Sequence, residues 1–208
     1  MSIVKKESEV EYFDIDDKPY GDTYGQWTVK WWQWALSIPK SNSPLVDETG
    51  NNAYVNQPDK DVWFLAGTIA TEDNIKEPYR EVIVPSGRAI LFPIINCEAN
   101  PIEYPHLKTD EDLVAHVKED ENAIVRKEAF INGKLIPPKR VTSDPLVFPL
   151  FVNDDNGLRV KGGTTRASAD GYYVFLKPLS KGEYNINFRG ACEAGRLNSA
   201  VKYRVKIE

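Results

Sequence analysis

Apolar residues recur at helical spacing in two stretches of this chain; elsewhere they alternate or form short unbroken runs. The first helical stretch, residues 23–38, holds four of the five tryptophans. At ~100° per residue, Trp27, Trp31, Trp34, Ala35 and Ile38 make one apolar stripe, and Val29, Trp32 and Leu36 make a second. Only Gln26, Lys30, Gln33 and Ser37 form a polar edge, so the helix is expected to be buried on two sides. Thr23 stands where an N-cap is needed, and Pro39 ends the helix. The second stretch, residues 109–122, carries a narrow stripe of Leu113, Val114 and Val117 and predicts a surface helix. Thr109 with Asp112 forms a capping box, and acids crowd the first turn.

Strand patterns fill most of the remainder. Residues 62–69 and 172–176 are apolar without a break, which suits strands covered on both faces, and residues 146–152 are another apolar strand. Residues 184–188 and 201–207 alternate: Tyr184, Ile186 and Phe188 in one, Val201, Tyr203, Val205 and Ile207 in the other. Those strands should have one wet face. Residues 80–85 and 88–96 flank Ser86-Gly87 and read as a hairpin, with Pro93 turned from a partner strand or marking a bulge. Asn132-Gly133 is the strongest short hairpin signal in the chain. Residues 40–61 read as a long loop, either functional or poorly ordered. The pattern predicts a mainly β fold: one antiparallel β-sandwich or jelly-roll-like domain over 22–208, preceded by an arm or edge strand at 1–21. A doubly wound nucleotide-binding sheet is not expected, because no strand–helix–strand alternation appears.

Composition narrows the function classes. The chain has 208 residues, 41% hydrophobic and 27% charged, with a net charge of -5, values of an ordinary globular domain. Basic residues are scattered, which argues against nucleic acid as the main partner. The group Arg80, Arg88, Arg126, Lys127, Lys139 and Arg140 reads as a solvated, mixed-charge surface. No apolar run is long enough to span a bilayer, so no membrane partner is expected. The start lacks the apolar run of a signal peptide, which points to the cytoplasm, although a mature chain cut from a precursor looks the same. Two cysteines and two histidines make no zinc or disulfide framework. The acidic clusters around Asp14–Asp22 and Asn153–Asn156 do not follow the calcium-loop spacing and read as turns. No cofactor motif is present, and no metal ligands are assigned.

Several segments together resemble an uncharacterised family of microbial proteins. They are Tyr20-Gly21, Tyr24-Gly25-Gln26-Trp27, Trp31-Trp32-Gln33-Trp34, the run from Val62 to Gly67, Val84-Pro-Ser-Gly87, Phe92-Pro-Ile-Ile-Asn96, Asp170-Gly-Tyr172 and Pro178-Leu-Ser-Lys-Gly182. The resemblance runs from about Tyr20 to the C-terminus and implies no activity. In such relatives an Asn-x-Glu follows the Phe-Pro strand, the place taken here by Asn96-Cys97-Glu98. Many of these relatives are exported.

Candidate chemistry centres on a repeated tripeptide, Cys97-Glu98-Ala99 and Cys192-Glu193-Ala194. If the two strand ends are neighbours, Glu98 and Glu193 share one rim and could divide acid and base roles. Chance repetition in loops is the plainer account. His106, beyond Glu98, could reach the same rim, and Arg140 could assist. Asn96 and Tyr172 are candidate ligand contacts, Tyr172 as a rim aromatic. The tryptophans could stack on sugars if exposed, but their helical placement reads as core. The leading expectation is a non-catalytic module that binds a small molecule or a protein partner. The alternatives are a hydrolase or lyase using Glu98 with Glu193 and His106, and a structural protein that self-associates through a sheet edge. Both thiols are expected at the same half of the sandwich and reduced.

Overall fold

A computed structural model describes residues 10–58, 60–68, 77–193 and 198–208. The described strands are β1 (Val62–Phe64), β2 (Tyr79–Val84), β3 (Ala89–Ala99), β4 (Ile124–Ile131), β5 (Lys134–Ile136), β6 (Lys139–Thr142), β7 (Phe148–Val152), β8 (Gly163–Leu176), β9 (Gly182–Cys192) and β10 (Asn198–Ile207). The helices are α1 (Tyr24–Ser37) and α2 (Asp110–Asn122). Each begins with a reciprocal capping box, Thr23 with Gln26 and Thr109 with Asp112. Positions 1–9 of the expected arm, Ile69 of the expected strand and Ala194 of the second tripeptide lie outside the described residues.

Two five-stranded sheets form the fold, β1-β3-β8-β6 with β7 also on β8, and β2-β10-β9-β4-β5. The hydrophobic pattern sorts strands between them. β1 and β3, apolar almost throughout, lie in the first sheet, which is covered on both faces. β2, β9 and β10 alternate and lie in the second, whose outer face is wet. Between the sheets pack Ile90, Phe92, Ile94, Ile186, Phe188, Val201 and Tyr203. The other face of the first sheet lies under α1, through Trp27, Trp31, Trp34, Phe64, Leu91, Tyr173 and Phe175. The architecture is therefore a mainly β, sandwich-like unit with a tryptophan-rich helix as a third layer. α2 stays largely at the surface, burying only Leu113, Val117 and Glu121.

The expected hairpin across Ser86-Gly87 is not one. β2 pairs with β10 in the second sheet, and β3 pairs with β1 and β8 in the first. The turn hands the chain from one sheet to the other, since a one-sided strand and a two-sided strand need different layers. Nor are the sheets wholly antiparallel: β1 runs parallel to β3, and β2 runs parallel to β10. Asn132-Gly133 does close a hairpin, with both residues at positive φ, 51° and 80°. Within the described part of the arm, Tyr12 bridges to Leu176, and Phe13 packs edge-on against Phe175 at 5.1 Å.

The register of β3 against β8 shifts between Pro93 and Ile95. Before the shift, Ile90, Phe92 and Ile94 face the second sheet. After it, Ile95 packs beside Ile124 and Cys192, whereas Asn96 donates a 3.0 Å hydrogen bond to the Tyr173 hydroxyl on the α1 side. The bulge inverts the alternation, so the even-numbered residues beyond it turn towards α1.

Residues 40–58 are ordered by side-chain clamps. Gln57 bonds the backbone at Ala53 and Phe64, and the Trp34 indole donates to the Val55 carbonyl at 2.9 Å. Arg80, expected at the surface, is 1% exposed. Its Nε donates to the Asp47 carbonyl and its Nη1 to the carbonyls of Ala66 and Gly67 and the Tyr203 hydroxyl, so these donors are satisfied within the protein. Cys97 and Cys192 are buried, and neither is in a disulfide. Ile95, two residues before Cys97, packs on Cys192, so both thiols lie at one end of the sandwich.

The packing sets out two sensitive positions. Trp31 is 1% exposed and donates its indole N–H to the Leu65 carbonyl at 3.1 Å. A Cβ added to Gly190 would stand 2.3 Å from the Ile95 Cβ, where the sheets approach closely. Trp31→Ala is expected to cost about 3–5 kcal/mol, and Gly190→Ala to destabilise by forcing the sheets apart. Urea unfolding of each variant checks this; unchanged midpoints would refute the packing account.

Candidate functional site

Beyond Leu91, β3 has no described strand on its β1 side, because β1 ends at Phe64. A cleft of about 190 Å³ lies along this part of β3. Trp31, Trp32 and Leu36 of α1 form one wall, and Gly67, Thr68, Asn198 and Ser199 form the other. Asn96, Glu98, Glu103, Tyr104 and Asp120 also line it. The bulge and the two-residue alternation after it place Asn96 and Glu98 on this side.

Glu98 is 7% exposed, and both of its oxygens accept from Asn100 Nδ2 at 3.1 Å. Asn100 in turn accepts from the backbone N–H groups of Ile102 and Glu103, forming the turn that brings Glu103 back towards β3. The Glu103 carboxyl lies near enough to Glu98 for each to act on the other. Burial holds Glu98 well above the usual carboxylate range, and the charge of Glu103 pushes the same way. Burial raises Glu103 too. No Lys or Arg lines the cleft among the described residues to offset these acids.

The surrounding groups are equally short of partners. The Trp32 indole N–H and Glu103 Oε2 are buried without a hydrogen-bond partner among the described residues. Tyr104 stacks obliquely on His116 with centroids 4.5 Å apart, and burial raises its phenol. His116 Nε2 lies 3.6 Å from Asp120 Oδ2.

Of the candidate site residues read from sequence, Asn96 and Glu98 line this cleft, as does the neighbouring Cys97. His106 is exposed, with its ring 6.1 Å from Tyr104, and does not line it. Glu193 is exposed at the end of β9, where its backbone N–H bonds Ala123. The two Cys-Glu-Ala copies therefore do not share a rim: their cysteines point inwards, but Glu98 faces the cleft and Glu193 faces solvent. Arg140 is held elsewhere, by Asp170 at 2.8 Å and Asn122 at 2.6 Å. Tyr172 lies under Lys127, 4.4 Å from its ring centroid, beside Ile95, Ile124 and Cys192. Glu103, Asn100, Tyr104 and Trp32 were not singled out as site residues. The closely spaced Glu98, Asn100 and Glu103, joined by an Asn-Pro turn, were the available signal.

A second buried acid lies beneath α2. Cys97 Sγ is 3.3 Å from the Val117 carbonyl and 3.6 Å from Glu121 Oε2. Burial and the neighbouring Glu121 push the thiol well up, the wrong direction for a nucleophile. Glu121 is itself pushed up to about 8, by burial first and then by the charge of Asp170. No group of three or more His, Cys, Asp or Glu placed to hold a metal occurs among the described residues. No described helix is long and apolar enough to cross a membrane.

No protein-family model and no curated protein matches the chain. Two solved structures overlap it weakly. The solution structure of Amebosin is 11% identical, with 70% of this chain and 96% of that one covered at a TM-score of 0.25. The complex of PbICP-C with falcipain-2 is 11% identical, with 70% and 98% covered at a TM-score of 0.29. Scores this low carry no inference about function.

The acid beneath α2 has a pH signature. An acid raised in the folded state lends stability below its unfolded value, and that stability is lost as pH rises through the folded value. For Glu121 the window runs from its ordinary 4.5 to about 8. Glu121→Gln is expected to flatten the fall in stability across that window, measured by urea unfolding at several pH values. An unchanged slope would remove Glu121 as its source.

Proposed function

We propose that this protein is a binding module that takes a small organic molecule in the cleft beside β3. The observation that carries this reading is the combination found there. Beside the apolar walls of Trp31, Trp32 and Leu36 lie a buried indole N–H and a buried carboxyl oxygen, both sealed from solvent and without a partner among the described residues. A buried polar group left unpaired costs about 1–3 kcal/mol. A ligand bearing a donor and an acceptor would recover that cost on binding. Concave, mostly apolar sites with a few convergent polar groups are where small molecules bind. The resemblance to a microbial family adds no activity to this reading.

The two neighbouring buried carboxyls at the cleft favour a second reading, a hydrolase or lyase in which Glu98 is the acid and Glu103 stands where Glu193 and His106 were expected. One protonated and one ionised carboxyl is an arrangement suited to giving and taking a proton.

Two measurements test these readings. Thr68 is half-buried at the cleft wall, so Thr68→Trp should fill the opening without disturbing either sheet. Saturation-transfer NMR with a library of small fragments is expected to find binders whose signal disappears in Thr68→Trp, while its melting temperature stays near that of the parent. An empty screen, or binding indifferent to the substitution, would refute the cleft as the site. For the enzyme reading, turnover of ester or glycoside substrates that vanishes in Glu98→Gln would support it; turnover that persists would discard Glu98.

A further inference from the structure

Resting on the binding reading, the geometry points to a narrower ligand class: a small organic cation that also carries a hydroxyl or carbonyl oxygen. Six side chains carry this inference. Trp31, Trp32 and Tyr104 supply aromatic rings, and Glu98, Glu103 and Asp120 supply carboxyls, all lining one cleft. With no Lys or Arg lining it among the described residues, the protein offers these acids no cation inside the cleft. Rings and carboxyls around a confined space favour an ammonium, which the ring faces attract and the carboxylates neutralise. An anionic ligand would meet like charge, and a neutral one would leave the acids uncompensated.

The oxygen on the ligand follows from a different group. The Trp32 indole can only donate, it is 8% exposed, and its N–H has no acceptor among the described residues. The Nε1 atom is sealed from solvent as it stands, so a hydroxyl or carbonyl next to the cationic centre would accept from it once the ring turns towards the cleft.

The ionisable groups nearby fix the proton bookkeeping. Glu98 comes from β3, Glu103 and Tyr104 from the following turn, and His116 and Asp120 from α2, where His116 Nε2 is 3.6 Å from Asp120. In the free protein, burial of the neighbouring Glu98 and Glu103 favours a proton on the pair in place of a cation. When the ligand's ammonium enters, that proton leaves to solvent and the ligand keeps its own. Binding therefore strengthens as pH rises, because the pair releases its proton more readily.

Calorimetric titration of the full chain tests this, using ethanolamine, choline and glucosamine against the uncharged ethylene glycol, dimethylbutanol and glucose. At least one cation is expected to bind about tenfold or more tightly than its uncharged counterpart, and to gain at least about tenfold between about pH 5 and about pH 8. Glu103→Gln keeps the shape of the protonated acid and should lose most of that gain. Asp120→Asn, more accessible, serves if the first variant does not fold, and should weaken cation binding alone. Uncharged compounds binding as well as the cations, or cation affinity flat with pH, would overturn the cation class while leaving the cleft as a binding site. Fragments that bind at the cleft while all three cations fail would overturn it in the same way. A fragment screen with no binder of any kind would sink the binding reading itself.

Discussion

Both sides of β3 are buried, and each of the other layers is laid against it. One face meets β9 and β10 through Phe92 on Phe188, ring centroids 4.9 Å apart. The other lies under the tryptophans of α1. A strand covered on two sides cannot alternate, which is why Ala89–Ala99 is apolar for most of its length. That constraint also explains the aromatic helix. Only large side chains span the gap between a helix axis and a sheet, and three of the four indoles in α1 anchor their N–H on backbone carbonyls, of Pro19, Leu65 and Val55. The helix is thereby tied to the arm, to the end of β1 and to the 40–58 segment together.

The bulge in β3 connects that architecture to chemistry. An extra residue between Pro93 and Ile95 exchanges the faces of everything that follows. Without it, Glu98 would turn to the opposite side, where Cys97 now lies under α2 beside Glu121. With it, the carboxyl turns to the α1 side, where Asn100 and Glu103 meet it. The same inversion turns Cys97 under α2, against Val117 and Glu121. A buried thiol and a cleft acid thus sit on consecutive residues with opposite surroundings.

The molecule handles buried charge in two ways. Arg80 and Asp170 are neutralised or saturated: Arg80 by carbonyls and the Tyr203 hydroxyl, Asp170 by Arg140. Glu98, Glu103 and Glu121 are not, and burial drives all three towards the protonated form. Uncompensated acids cost stability as pH rises. In the cleft, that cost stands beside unpaired polar atoms and aromatic walls; under α2 it stands beside a buried thiol.

The sequence by itself determined the local elements. Both helices lie within a residue or so of their expected bounds, because capping residues and periodicity act over a few neighbours. Alternating and unbroken runs separated most one-sided from two-sided strands, but the unbroken run 146–152 became β7, buried only at alternate positions with Phe151 exposed. Asn132-Gly133 marked its hairpin, since only such residues accept positive φ cheaply. Asn96 and Glu98 were legible as cleft residues because they follow a recognisable strand. Periodicity states which face is apolar, however, and not which neighbour covers it. Tertiary structure alone decided that β2 and β3 part into different sheets, that Arg80 is buried and that His106 and Glu193 stay in solvent. It alone also set Glu103 against Glu98, since one bulge and one Asn-Pro turn choose the face and the partner, and neither changes the hydrophobic pattern that a linear reading detects.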